Sequence, residues 1–275
     1  KLFDGGSDAV KLENPISSEM SHMRPDLLVG LLQAASRNQA RGFSDLALFE
    51  VGAAFHGGEP GEQHVQIGGL LVGATGPKDV HGARRDVDVF DAKADAEAIL
   101  SSIGAPAKVQ ILRDTPSWFH PGRSGKIGLG PKKIMAQFGE VHPKTLKEMG
   151  VKGPAVAFTV FLEQPPFPRG GKAARPAFFT NDLQAVERDF AFVVDKDVAA
   201  LAVVNAAFGA DKNLIEDVRV FDEFIGGSLG EDKKSLAITV RLQPAKETLK
   251  DKDIEEVSAK IVAKVEKATK AVLRG

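Results

Sequence analysis

Residues 188–197 read RDFAFVVDKD, and within them Phe190, Phe192 and Val194 alternate with Ala191, Val193 and Asp195. A period of two predicts a strand with one buried face. A helix is expected next. Asp197 can cap it, Val198, Leu201 and Phe208 recur near helical spacing, and Gly209 can take a left-handed conformation at its end. LIEDVRVFDEF (214–224) and KKSLAITVRL (233–242) then read as two strands of a hairpin joined by the glycine-rich, polar IGGSLGEDK (225–233). From 251 to 270, Ile254, Val257, Ile261, Val265 and Ala268 form one helical stripe, and AVLRG (271–275) is short and apolar enough to return as an edge strand. The order strand, helix, strand, strand, helix, strand is a split βαβ unit. Two helices on one face of its four-stranded antiparallel sheet leave the other face open, a geometry that many RNA-binding modules use.

Alternation in KKSLAITVRL puts Leu236, Ile238, Val240 and Leu242 on one face and Ser235, Ala237, Thr239 and Arg241 on the other, which is the open one. The neighbouring strand ends in FDEF. Phe224 shares parity with Val218 and Val220, so on an unbroken strand it belongs to the core; a ring presented on the open face is the competing reading. Charge does not select a nucleic-acid partner. The chain carries a formal net charge of −1, and residues 186–275 hold 15 Lys and Arg against 17 Asp and Glu, a balance of −2. Beyond Val257, however, Lys260, Lys264, Lys267, Lys270 and Arg274 face only Glu266, and this local basic stripe makes Lys264 and Lys267 candidate phosphate contacts. An ordinary solvated helix face is the plainer account.

Upstream, EQPPFPRGGKAARPAFFTND (163–182) carries four prolines and a Gly-Gly pair, which neither a helix nor a central strand can accommodate, and it reads as a linker. Residues 1–162 then form a first domain. Pro25 suits a helix start, Leu27, Leu28, Leu31, Leu32 and Ala35 supply an apolar face, and Gly42 a stop. DLALFEVGAAF (45–55) and VQIGGLLVG (65–73) read as strands, the second interrupted by glycine; Asp91 is expected to cap a helix through Ile103; GKIGLG (125–130) and KIMAQFGEV (133–141) read as strands around a turn at Pro131, and AVAFTVFLE (155–163) as a last strand. The short connections predict an antiparallel sheet flanked by helices, and the chain as a whole is of the α+β class.

The absence of cysteine excludes disulfides, thiolate metal sites and cysteine nucleophiles. The six histidines, at 22, 56, 64, 81, 120 and 142, show no metal-ligand spacing, so no metal site is expected. No apolar run approaches the length of a membrane helix, and a reducing cytoplasm suits the composition. The opening Lys-Leu-Phe lacks an initiator methionine and a signal-peptide pattern, so a fragment of a longer polypeptide is expected. FHPGRSG (119–125) lacks the spacing of a phosphate loop and reads as a tight turn, in which His120 and Arg123 hold nearby carbonyls or a carboxylate of another subunit. Asn14, Glu19 and Arg24 read as a hydrogen-bonding cluster at a helix start.

RDFAFVVDKD, VFDEF, KKSLAITVRL and TLKDKDIEE, in that order and ending in AVLRG, resemble the ferredoxin-fold anticodon-binding domain of the phenylalanyl-tRNA synthetase β-subunit family. NPISSEMSHMRPDLLVGLL (14–32), LFEVGAAF (48–55), FHPGRSG and FGEVHP (138–143) resemble the catalytic-like module of the same family, directly upstream of that domain. The resemblance implies a class II synthetase-like antiparallel sheet at 1–162, a linker at 163–182 and a ferredoxin-like βαββαβ domain at 183–275. It implies that Phe224 stacks on an anticodon base, with Asp222 and Ser235 beside it as hydrogen-bonding groups. Phenylalanine stands where most members are expected to carry tyrosine. Thr239 and Arg241 extend the candidate RNA surface, and Arg24, His120 and Arg123 are candidate contacts to an α subunit.

Adenylation by an enzyme of this class needs cationic side chains against the triphosphate. LFEVGAAF offers Glu50 at the position where an arginine is needed, and Pro131 spoils GLGPKK (128–133) as a helix start. The resemblance therefore implies a noncatalytic scaffold that packs on the catalytic α subunit of an α2β2 complex. That complex ligates phenylalanine to its tRNA with ATP and magnesium, while the chain itself holds no cofactor. No counterpart of the family's tRNA-clearing domain is present, so hydrolytic editing is not expected. The alternatives are an adenylating site retained in the first domain, or a general scaffold or single-strand RNA module.

Overall fold

A computed structural model of the chain describes residues 2–5, 7–80, 82, 84–166, 180–245 and 247–274, excepting the side chains at 19 and 228. It divides into two units, Lys1–Ala173 and Ala174–Gly275. Most of the expected linker, residues 167–179, lies outside the described residues.

In the first unit Asp26 starts a helix, α1 (Leu28–Ala40), by accepting the Leu28 backbone N–H at 2.8 Å. Leu28, Leu31, Leu32 and Ala35 are its buried stripe, and the chain leaves through Gly42 at φ +93°. Strands β1 (Leu46–Phe55) and β2 (Gln63–Val72) form an antiparallel hairpin. Glycine does not interrupt β2. Gly69 instead makes room for a ring, since a Cβ there would lie 2.2 Å from Phe158. Helix α2 (Val89–Ser102) is capped by Asp88, whose carboxylate accepts the Phe90 N–H. The expected cap, Asp91, sits one turn inside, where it accepts the Asp88 N–H and pairs with Arg85.

Strands β3 (Gln110–Leu112), β4 (Phe119–Gly128) and β5 (Ile134–Val141) follow, then α3 (Pro143–Met149) and β6 (Ala155–Phe161). Neither β3 nor α3 was expected. β3 is three residues long, and α3 is set by local chemistry, with His142 Nδ1 accepting the Lys144 N–H and Pro143 in the first turn. FHPGRSG is not a tight turn but the first part of β4. Between Phe119↔Val141 and Ser124↔Gly139 the strand advances five residues against two on β5, a wide irregularity inside a strand. The sheet is antiparallel in the order β1-β2-β6-β5-β4-β3. Helix α1 packs on one face against Leu70, Val72, Ala155 and Ala157, and α2 on the other against Met135, Ala136, Val156 and Val160.

The second unit runs β7 (Val186–Asp195), α4 (Ala200–Phe208), β8 (Ile215–Ile225), β9 (Lys233–Leu242), α5 (Asp251–Thr269) and β10 (Val272–Leu273), with sheet order β10-β7-β9-β8. This is the ferredoxin-like arrangement, with β10 pairing along β7 as the expected edge strand. Phe192, Val194, Leu236, Ile238, Val240 and Leu242 face α4 and α5 and meet Val203, Ala207, Val257, Ile261 and Val265. Four local expectations fail. Helix α4 begins after Ala199, not at Asp197, with no side-chain cap. Its buried positions are Val203 and Ala207, while Leu201 and Phe208 are exposed, because the later start turns the wheel. Gly209 has φ −73°, which any residue could adopt. In α5 the last buried residue is Thr269 rather than Ala268; its hydroxyl donates to the Val265 carbonyl at 2.8 Å, so a polar side chain closes the stripe at no hydrogen-bonding cost.

Candidate nucleic-acid interface

The face of the four-stranded sheet turned away from α4 and α5 is built by register. β7 and β9 pair without interruption, placing Glu187, Asp189, Ala191 and Val193 beside Arg241, Thr239, Ala237 and Ser235. β8 pairs Val218 with Val240 and Val220 with Ile238, so these two valines belong to the core side. The next partner of β9, Ala237, faces Asp222, and one extra residue, Phe221, is absorbed in a bulge. Beyond it Phe224 stands directly opposite Ser235. The bulge therefore reverses the parity that grouped Phe224 with Val218 and Val220. Phe224 is 44% exposed and lies on the open face, where its ring approaches Gly227.

Around the ring the surface is made of small side chains: Ser235, Ala237, Ala191 and Val193, with Asp222 two residues away on the same face. Farther along, the polar groups are already partnered. The Thr239 hydroxyl donates to Asp189 at 2.6 Å. Arg241 donates through Nε to Glu216 at 2.7 Å and through Nη1 to Glu187 at 3.5 Å, contacts that hold its proton more tightly than usual. Arg219 pairs with Asp217 at 3.1 Å and Glu187 at 3.4 Å. This half of the face sets two arginines against four carboxylates, and the other half is a shelf of small side chains beside Phe224.

The expected residues thus divide. Phe224, Asp222 and Ser235 come together at one end; Thr239 and Arg241 lie on the same face but are bound to carboxylates. Lys264 and Lys267 are exposed on α5, which covers the opposite side of the sheet, so they do not join the set. Sequence reading missed Phe221, and alternation carries no signal that could reveal a bulge.

In the first unit Arg24 pairs with Glu50 at 2.6 Å and donates from Nε to the Ala53 carbonyl at 3.0 Å. The proposed cluster of Asn14, Glu19 and Arg24 does not form as read: Arg24 takes Glu50 as its partner, Asn14 is exposed, and the Glu19 side chain lies outside the described residues. Arg123 pairs with Glu140 of β5 at 2.8 Å, and His120 Nδ1 accepts the Gly122 N–H at 3.1 Å. Asp26 and Leu27, both buried, cross the face of β1, β2, β6 and β5. Leu27 packs over Gly68, and Asp26 accepts from Thr159 at 3.4 Å and Gln137 at 3.4 Å. Burial pushes the Asp26 carboxyl up to about 6 despite the Leu28 N–H and Thr159 hydroxyl it accepts. Among the described residues no group of three His, Cys, Asp or Glu could hold a metal ion, and no helix is long and apolar enough to cross a membrane.

Residues 1–162 match the phenylalanyl-tRNA synthetase beta chain CLM domain, and residues 182–274 match the ferredoxin-fold anticodon binding domain. The chain belongs to the phenylalanyl-tRNA synthetase β-chain family. Over its whole length it is 73% identical to the phenylalanine–tRNA ligase beta subunit of Ruegeria pomeroyi, 66% to that of Cereibacter sphaeroides and 50% to that of Rhodospirillum rubrum. It spans 34% of the length of each of these relatives. Its second unit is thus an anticodon-binding ferredoxin-fold domain of this family, and the bulged, ring-bearing sheet face is its candidate RNA surface.

Proposed function

We propose that this chain is a noncatalytic part of a phenylalanine–tRNA ligase β subunit, divided near residues 163–182, whose second unit docks the anticodon of phenylalanine tRNA on the open sheet face. Phe224 stacks on one anticodon base while Asp222 and Ser235 read its edge. The exposed ring on a shelf of small residues carries this reading. Because Arg219 and Arg241 are already neutralised by carboxylates, recognition rests on stacking and base edges more than on phosphate contacts. Replacing Phe224 by alanine should weaken binding of phenylalanine tRNA by roughly 5- to 150-fold, the equivalent of about 1–3 kcal/mol of stacking. A tRNA with a changed anticodon should lose far less in the same titration. Equal losses on both would favour a general single-strand module.

The first unit is read as a scaffold that assembles with the catalytic α subunit in an α2β2 complex; Arg24, His120 and Arg123 are its proposed contacts. Three observations support this. Asp26 and Leu27 fill the sheet face next to β1, and Glu50 on that strand, where an adenylating site needs an arginine, is itself paired with Arg24. The edge strand β1 also exposes Phe49 and Val51, apolar groups suited to burial in an assembly. ATP and magnesium would be held by the full cytoplasmic complex, which would charge tRNA with phenylalanine. ATP–pyrophosphate exchange by the purified chain should stay at background, and measurable turnover would restore the reading of an adenylating site of its own.

A further inference from the structure

Strand β8 is an edge, and from Arg219 to Ile225 all seven of its residues are exposed. Two of them are rings: Phe221, 58% exposed at the bulge, and Phe224, 44% exposed beyond it. A buried core would have absorbed both, since each ring left in water forgoes a large share of its apolar burial. Bulges of this kind re-aim a side chain next to a functional site. Here the extra residue is itself aromatic, and it is placed against the same β9 residue, Ala237, that faces Asp222. Three residues along a strand span roughly 10 Å, less where a bulge shortens it. That is a reach at which two neighbouring unstacked bases can each meet a ring.

We propose that Phe221 is a second stacking platform for RNA, holding the base adjacent to the one on Phe224. This rests on the reading of the open face as the anticodon surface and deepens it, because it makes β8 a two-base platform. A nucleobase is favoured over a protein side as the occupant for two reasons. The family of this unit binds an anticodon. Polar groups that can meet a base edge also stand beside the rings: Asp222 lies between the two on the open face, and Ser235 stands opposite Phe224. Glu223, opposite Leu236, is turned to the helix side and pairs there with Lys234 at 3.0 Å. Single-strand RNA modules with a sheet platform place paired aromatics for successive bases in the same manner.

The test uses the 275-residue chain with leucine at either ring, which keeps apolar volume and removes the π face, and with tyrosine at 221, which keeps the ring. Affinity is measured for intact phenylalanine tRNA and for three versions, each abasic at one anticodon nucleotide. Phe221→Leu should weaken the intact tRNA at least about fivefold, and Phe221→Tyr should restore it. The loss should vanish for one abasic tRNA, a different one from the tRNA that silences Phe224→Leu. Unchanged affinity on Phe221→Leu overturns the proposal. So does an equal loss on all four tRNAs, which marks a packing role, and so does silencing by the same abasic position, which assigns both rings to one base. If Phe224→Leu is also without effect, the anticodon reading of the face fails with it. If Phe224→Leu behaves as expected and Phe221→Leu does not, only the second platform falls.

Discussion

Phe192→Ala should cost the second unit about 3–5 kcal/mol and abolish tRNA binding at temperatures where the first unit is still folded. Phe192 is fully buried between β9 and the two helices; it stands opposite Leu236 on β9 and lies 6.2 Å from the Phe190 ring. Removing the ring forfeits its transfer free energy and leaves a cavity that α4 and α5, tied to the sheet by Val203, Val257 and Ile261, can close only in part. A domain of this size has a total stability of only about 5–15 kcal/mol, so the loss is a large fraction. Chemical denaturation followed by circular dichroism would show an early transition in the variant that the parent lacks. An unshifted transition would mean that the sheet is not anchored through this ring. The contrast with Phe224→Ala is part of the expectation: that ring faces solvent, so its removal should leave the melting curve within about 0.5 kcal/mol of the parent while still weakening RNA binding.

Asp26→Asn should stabilise the first unit by up to about 3 kcal/mol at pH 8 and by almost nothing at pH 4. Asp26 is 4% exposed, and burial raises its carboxyl from 3.8 to about 6. A carboxyl that holds its proton more tightly when folded contributes stability that is fully present below pH 3.8. That contribution is lost as pH rises through about 6, and 2.2 pH units amount to about 3 kcal/mol. Asparagine cannot ionise, yet its carbonyl can still accept the Leu28 N–H and the Thr159 hydroxyl, while the Gln137 amide can turn its oxygen toward the new NH2. The difference in denaturation midpoint between the two proteins, measured from pH 4 to 8, should open mainly between pH 4 and 6. A gap that is the same at every pH would show that Asp26 is not a buried charge. Asp26→Ala should instead destabilise at all pH values, since it strands three donors.

The two halves of the chain were legible to different depths. In the second unit β7 and β9 follow from alternation, because one covered face and one open face impose a period of two on RDFAFVVDKD and KKSLAITVRL alike. The stripe of α5 was equally clear, since Ile254, Val257, Ile261 and Val265 are aliphatic and the helix is long enough for the period to repeat. Helix α4 was readable as a helix but not in its facing. Nine residues without a charge leave nothing to mark the solvent side, and the start moved from Asp197 to beyond Ala199. In the first unit, β2 and β6 are covered on both sides and read simply as apolar runs. The short β3 and the irregular FHPGRSG stretch of β4 have no periodic signal, so they were missed or misread.

Sequence by itself determined the order of elements in the second unit, the fold class and the family, and it proposed Asp222, Phe224 and Ser235 as the side chains around which a base could sit. It left open whether Phe224 was core or platform, grouped Lys264 and Lys267 with it, and was silent on Phe221. Those questions belong to register and packing. A single extra residue opposite Ala237 turns Phe224 to the open face. The choice of which face α5 covers carries its lysines to the far side, and carboxylates distant in sequence neutralise Arg219 and Arg241. Local patterns are set by each residue's own partition between water and protein, but a bulge and an ion pair depend on which neighbour a strand finds, and that is decided only when the sheet closes.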